Sequence, residues 1–173
     1  MRITKSNINE FIEGTKLYFY NKGITHIEYI PDGITRLDCN NNQLTELPKL
    51  PESLIHLSCS NNQLTELPKL PESLEYLYCY NNRLTELPKL PESLISLYCG
   101  DNKLTELPKL PNSLTDLYCG DNRLTELTKL PESLTRLYCE HNNLPYKVTS
   151  ENFKEHNKLI KRKQILEKIR LYH

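Results

Sequence analysis

Cysteine stands at Cys39, Cys59, Cys79, Cys99, Cys119 and Cys139, one every 20 residues, and a near-identical block of sequence travels with each of them. A unit this short has too few residues to enclose an apolar face of its own, so successive units must seal one another in a stack of nearest-neighbour contacts. The period therefore argues against a core closed on itself and predicts an elongated repeat solenoid.

Read from Leu54, one unit runs L-I-H-L-S-C-S-N-N-Q-L-T-E-L-P-K-L-P-E-S. Leu57-Ser58-Cys59 alternates inward and outward as a strand does, and Asn62 follows where the chain must leave it. Pro68 and Pro71 remove two backbone donors and bias Leu67 and Leu70 away from helix, so the return path should be extended. One short strand per repeat, stacked in parallel over about seven levels at roughly 4.8 Å, gives a sheet roughly 30 Å long.

Columns that recur unchanged among the copies mark the framework. Leu57, Leu77, Leu97, Leu117 and Leu137, with Leu64, Leu84, Leu104, Leu124 and Leu144, should point inward and stack on their counterparts. Asn42, Asn62, Asn82, Asn102, Asn122 and Asn142 fall at the bend, where a short amide can bond backbone groups that the sheet leaves open. An asparagine ladder is expected; the competing reading is a row of ordinary exposed turn residues.

The string L-x-x-L-x-C-x-x-N-x-L followed by L-P-x-L-P resembles the short, 20-residue class of leucine-rich repeat proteins, familiar from secreted bacterial effectors. A composition rich in Asn, Lys, Ile and Tyr is also similar to repeat proteins of giant DNA viruses. The resemblance covers residues 17–147 and begins in a degenerate copy, where Phe19 takes the cysteine position and Lys22 the asparagine position. It implies a right-handed leucine-rich repeat β-solenoid, or horseshoe, with one short parallel strand per repeat and an extended, non-helical convex side. It names no ligand. Some bacterial relatives carry a C-terminal ubiquitin-ligase domain with a catalytic cysteine, whereas every cysteine here belongs to a repeat.

The sequence provides little for chemistry. In-register thiols would lie about 4.8 Å apart, longer than the roughly 3.5–4.5 Å between Cβ atoms that a bridge prefers, so disulfides are not expected. A line of thiols is no tetrahedron, and there is neither a C-x-x-C pair nor a spaced His pair, so no metal is expected. With no phosphate-binding loop or nucleophile elbow, and with histidines such as His26, His56 and His141 scattered, neither a cofactor nor enzymatic activity is expected. The chain shows no apolar run of membrane-spanning length and no basic-then-apolar leader, which predicts a soluble protein of the cytoplasm, a host's included.

Strand residues facing away from the core vary between copies. One column reads Asp38, Ser58, Tyr78, Tyr98, Tyr118, Tyr138; its neighbours read Arg36, His56, Tyr76, Ser96, Asp116, Arg136 and Asn40, Ser60, Tyr80, Gly100, Gly120, Glu140. Tyrosine combines a rigid contact area with a polar tip and, with arginine, is enriched at protein interfaces. The candidate partner-binding set is therefore Tyr76, Tyr78, Tyr80, Tyr98, Tyr118, Tyr138 and Arg136, with Arg83, Lys103 and Arg123 on the adjoining edge beside Asp101 and Asp121. Gly100 and Gly120 should leave room there for a partner's side chain. Stacked tyrosines also stabilise a sheet, and that reading stays open. The outer columns, such as Glu66 and Lys69, look like solubilising framework.

The chain's formal charge is zero. It is unevenly placed: residues 1–146 hold 14 Lys and Arg against 19 Asp and Glu, a charge of −5, and residues 147–173 hold 8 against 3, a charge of +5. After Leu144 the repeat fails, and Thr149-Ser150-Glu151 looks like the start of a helix running from about 150 to 171. Leu159, Ile165, Leu166, Ile169 and Tyr172 would pack over the last level, making residues 148–173 a basic capping helix. At the other end, residues 1–16 would cap the first level through a helical turn at Ile8, Phe11 and Ile12, started by Ser6 or Asn7 and stopped at Gly14. The cluster Lys158, Lys161, Arg162 and Lys163 offers an alternative function, association with nucleic acid or an anionic surface, although the acidic body argues against nucleic acid. The main expectation is a non-enzymatic module that binds a protein partner through its concave, tyrosine-rich face.

Overall fold

The computed structural model describes residues 1–149 and 151–171; the side chains of residues 163–165 and 167–171 lie outside that description. In chain order the elements are β1 (Arg2–Ile3), a 3-10 turn (Ile8–Phe11), β2 (Ile12–Glu13), β3 (Lys16–Tyr18), β4 (His26–Ile27), β5 (Arg36–Asp38), β6 (His56–Ser58), β7 (Tyr76–Tyr78), β8 (Ser96–Tyr98), β9 (Asp116–Tyr118), β10 (Arg136–Tyr138) and α1 (Phe153–Leu171). β3 and β5 through β10 pair in parallel, and every residue faces its counterpart one period away, Leu37 beside Leu57 and Leu57 beside Leu77. The 20-residue period is thus the register of the sheet. β2 joins the edge antiparallel to β3, and β1 pairs with β4 on the return path of the first repeat.

The return paths are extended, with two prolines in four of them, and the path through Thr128, which keeps only Pro131, is extended too. Each turns back to its next strand through a short turn, Leu54 N donating to Pro51 O at 3.1 Å, with the same bond at Leu74, Leu94, Leu114 and Leu134. Inside, Leu57, Leu77, Leu97 and Leu117, and Leu64, Leu84, Leu104 and Leu124, are wholly buried, as are Cys39 through Cys119. Leu137 and Leu144, in the last repeat, are partly buried against the same core. All six cysteines are free thiols.

The asparagine column forms the expected ladder. Asn62 accepts a bond from Leu44 N at 3.0 Å, while its amide donates to Cys39 O at 3.0 Å and Cys59 O at 3.1 Å, so one side chain ties two levels together. Asn82, Asn102, Asn122 and Asn142 repeat this pattern, and Asn42 extends it down to Ile24 N and Phe19 O. The residue before each of them is Asn41, Asn61, Asn81, Asp101, Asp121 or His141, and Asn21 stands likewise before Lys22 in the degenerate copy, all with φ between 51° and 56°. That left-handed conformation is tolerated best, glycine apart, by short polar side chains. A second ladder escaped sequence reading: the Ser73 hydroxyl reaches Glu52 O and Leu54 O, both at 2.7 Å, and Ser93, Ser113 and Ser133 do the same one level up each.

Both ends differ from their sequence expectations in detail. At the N-terminus the turn is 3-10 and ends at Phe11, and Ile12 lies in β2 instead of the turn. Asn7 precedes the turn but does not cap it: its Oδ1 accepts from Thr4 N at 2.8 Å and its amide donates to Arg2 O at 3.1 Å. Ile8 is buried, and Phe11 meets Phe19 edge-on at 5.2 Å. At the C-terminus the helix begins at Phe153, later than Ser150, after Asn152 makes the same pair of bonds as Asn7, to Thr149 N and Lys147 O. Leu159 and Leu166 do not pack over the last level; they are 47% and 59% exposed. The face turned to the stack is instead Phe153, His156 and Asn157, because the helix docks beside the return path of the last full repeat. The side chains of Ile165 and Ile169, and Tyr172 altogether, lie outside the described residues. Asn157 bonds both polar groups of Leu130, accepting at 2.9 Å and donating at 2.8 Å, as a neighbouring strand would.

Asn102 satisfies Leu84 N and the carbonyls of Cys79, Cys99 and Gly100. Asn102→Ala should therefore lower unfolding free energy by about 1–3 kcal/mol, the cost of stranding buried backbone groups. An ordinary exposed turn residue would lose under about 0.5 kcal/mol. Denaturant melts of the variant decide between the two.

Candidate functional site: an aromatic sheet face

The period that stacks the leucines inside also stacks the outward strand residues on one another. His56, Tyr78, Tyr98, Tyr118 and Tyr138 form an unbroken row, with successive ring centroids 5.2, 4.8, 4.2 and 6.4 Å apart. Tyr98 and Tyr118 lie nearly parallel, at 13°. Tyr76 stacks on His56 at 5.6 Å. Tyr78, Tyr98 and Tyr118 are half-buried, whereas Tyr80 and Tyr138 are 39% and 38% exposed. Burial raises the pKa of the Tyr78 and Tyr98 hydroxyls, with neighbouring phenols adding to it.

The charged candidates divide. Arg136 is held against the Asp116 carboxylate one level below. Asp116 is buried; burial works against its charge, but hydrogen bonds from Thr115 and Arg136, the Arg136 charge and a bond from Ser96 outweigh it and hold its pKa below the usual range. Arg83, Lys103 and Arg123 sit one position beyond the asparagine column, exposed, and do not line the cleft between the tyrosines. That cleft has a volume of about 170 Å³ and opens over Gly100 between Tyr80 and Tyr138, with Asp101 and Asp121 at its rim. The space expected at Gly120 is taken, since a Cβ there would run into the Tyr138 ring. Lys158, Lys161 and Arg162 are exposed on α1, which contacts the backbone of Thr128 and Leu130, so they are not part of the sheet face. Lys163's side chain lies outside the described residues.

The repeat thiols lie inside the stack, away from this face. Burial pushes the Cys79 thiol up to about 12 and the Cys139 thiol to about 11, with Glu140 adding to the latter. No group of His, Cys, Asp and Glu among the described residues is placed to hold a metal ion. Among the described residues no helix is long and apolar enough to cross a membrane.

The sequence profile of a family described as Leucine Rich repeats, in two copies, matches residues 52–92. A Shigella effector leucine-rich repeat domain superposes with a TM-score of 0.76 at 34% identity, covering 83% of this chain and 66% of that one. This chain is a leucine-rich repeat protein. Its repeats are also similar to those of YopM from Yersinia enterocolitica WA-314, with 36% identity and a TM-score of 0.68 over 75% of this chain and 31% of that one. YopM from Yersinia pestis matches at 30% identity and a TM-score of 0.59, over 75% of this chain and 50% of its own. This leucine-rich repeat protein thus spans between 31% and 66% of the length of these solved chains. No curated protein matches it.

Two participants escaped sequence reading. His56 was one of several scattered histidines, yet it starts the aromatic row; the signal was its place in the column of Tyr76, one period earlier. Asp116 was one outward residue among many, and its opposite-charge neighbour one period on, Arg136, marks it as half of an ion pair. Burial, then the Arg36 charge, lower the His56 pKa to about 4 against the opposing pull of Asp38. The fold therefore favours neutral imidazole, and this stabilisation, full above the unfolded value of about 6.5, is lost as pH falls towards 4. An NMR titration should place the midpoint of the His56 imidazole near 4, and His56→Gln should flatten the stability loss between pH 6.5 and 4.

Proposed function

We propose that this leucine-rich repeat protein is a non-catalytic binding module that engages a protein partner through the concave face of its sheet, centred on Tyr78, Tyr98 and Tyr118. The observation that carries this is the continuous row of rings on a face whose residues change from copy to copy, while the interior columns do not. A row that served only to brace the sheet would need no such variation. Tyr76, Tyr80 and Tyr138 widen the aromatic area, Arg136 with Asp116 supplies a fixed charge pair at one end, and Arg83, Lys103 and Arg123 flank it with exposed cations. Rigid rings lose little conformational freedom on binding, which suits them to be interface anchors. The similarity to bacterial effector repeat domains supports a site of action in the cytoplasm of a host cell.

The basic helix gives a weaker second reading. Lys158 is already paired with Glu155 at 2.7 Å, and α1 is engaged in holding the return path through Asn157. Association with nucleic acid or an anionic surface would require Lys161, Arg162 and Lys163, and no specific contact favours it.

The Tyr78/Tyr98/Tyr118→Ser variant, checked for native circular dichroism, should lose at least one protein that the wild type captures from host-cell extract. Capture unchanged by these substitutions but abolished by neutralising Lys158, Lys161, Arg162 and Lys163 would transfer the function to the helix.

A further inference from the structure

The column Asn40, Ser60, Tyr80, Gly100, Gly120, Glu140 holds side chains of every size on one repeated backbone, so the fold does not demand glycine at its fourth and fifth members. Neither Gly100 nor Gly120 has positive φ, unlike Gly14, Gly23 and Gly33. Their lack of a side chain therefore makes room instead of relieving strain. At Gly120 the room is filled by the Tyr138 ring, and at Gly100 a Cβ would lie 3.2 Å from the Gly120 carbonyl; beside these two bare backbones lies the cleft of about 170 Å³. The walls of this cleft are the rings of Tyr80, Tyr98, Tyr118 and Tyr138, and its rim carries the carboxylates of Asp101 and Asp121.

Resting on the reading of this face as a partner-binding surface, we infer that the cleft over Gly100 seats a cationic side chain, arginine or lysine, presented by the partner protein. Aromatic faces attract a cation through their quadrupole; Tyr98 and Tyr118 cover each other's, so the more exposed rings of Tyr80 and Tyr138 supply this attraction, and carboxylates at the mouth add to it directly. The charges around the cleft agree. Asp121 faces the Nδ1 of His141 at 3.1 Å and Glu140 pairs with Lys147 at 3.1 Å, while Asp101 has no ion-pair partner among the described residues. The exposed cations of the neighbouring column, Arg83, Lys103 and Arg123, stay out of the lining, so the one charge sign presented inside is negative. The Tyr138 hydroxyl registers this field: burial, then Asp121, Glu140 and Asp101, raise its pKa. A neutral or anionic group would forfeit both attractions.

The test uses the full chain with ring-labelled tyrosine, titrated by NMR with N-acetyl-arginine amide and, as its uncharged counterpart, N-acetyl-citrulline amide. The arginine probe should shift the resonances of Tyr80, Tyr98, Tyr118 and Tyr138 saturably, and citrulline should bind about tenfold more weakly, the scale of a cation–π contact strengthened by charge. Asp101→Asn with Asp121→Asn should weaken arginine binding by about the same factor. Equal shifts from both probes, no shift from either, or unchanged affinity in the asparagine double variant would overturn the inference. Because the probes act without any partner, their outcome is independent of the tyrosine-to-serine capture experiment, which tests the face itself.

Discussion

The side-chain amide that links one level to the next holds this molecule in order. A parallel sheet of three-residue strands gives each repeat few ladder bonds, and the chain must turn sharply after every strand without stranding buried polar groups. One asparagine per repeat meets both needs, bonding the carbonyls of two successive cysteines and the backbone N–H of the residue two places beyond the asparagine position one level below. Everything else is carried on that repeat: the leucines stack because the amides keep them level, and the outward residues stack for the same reason.

A consequence is that identity and variation separate cleanly in space. Inward and bend positions are fixed by packing density and by hydrogen bonds with one acceptable geometry. Outward strand positions face only their neighbours one period away and can change from serine to tyrosine to aspartate without disturbing the frame. This is the freedom a binding surface requires. Here it is used to lay down an aromatic row, an ion pair between Asp116 and Arg136, and a gap over Gly100.

How much of this was legible in the sequence depends on whether the period carried it. The strand at Leu57-Ser58-Cys59, the extended return path, the asparagine ladder and the tyrosine row all follow from reading one residue every 20. The ends did not, because a cap has no internal copy to compare with. The exposed Leu159 and Leu166 were assigned to the buried face by helical spacing alone, whereas docking is set by Asn157 pairing with the Leu130 backbone and by the burial of Phe153 in the same core as Val148. The cleft was only half legible: glycine in the column signalled room at both positions, but which room Tyr138 would fill depends on its rotamer.

The claim that recognition lies on the sheet face is tested most directly by site-specific photo-crosslinking in host-cell extract. A photoreactive phenylalanine would replace Tyr98 on the row in one sample and Glu106 on the outer column in another. The account predicts discrete adducts from position 98 and none from position 106; adducts from position 106 alone, or the same adducts from both, would contradict it.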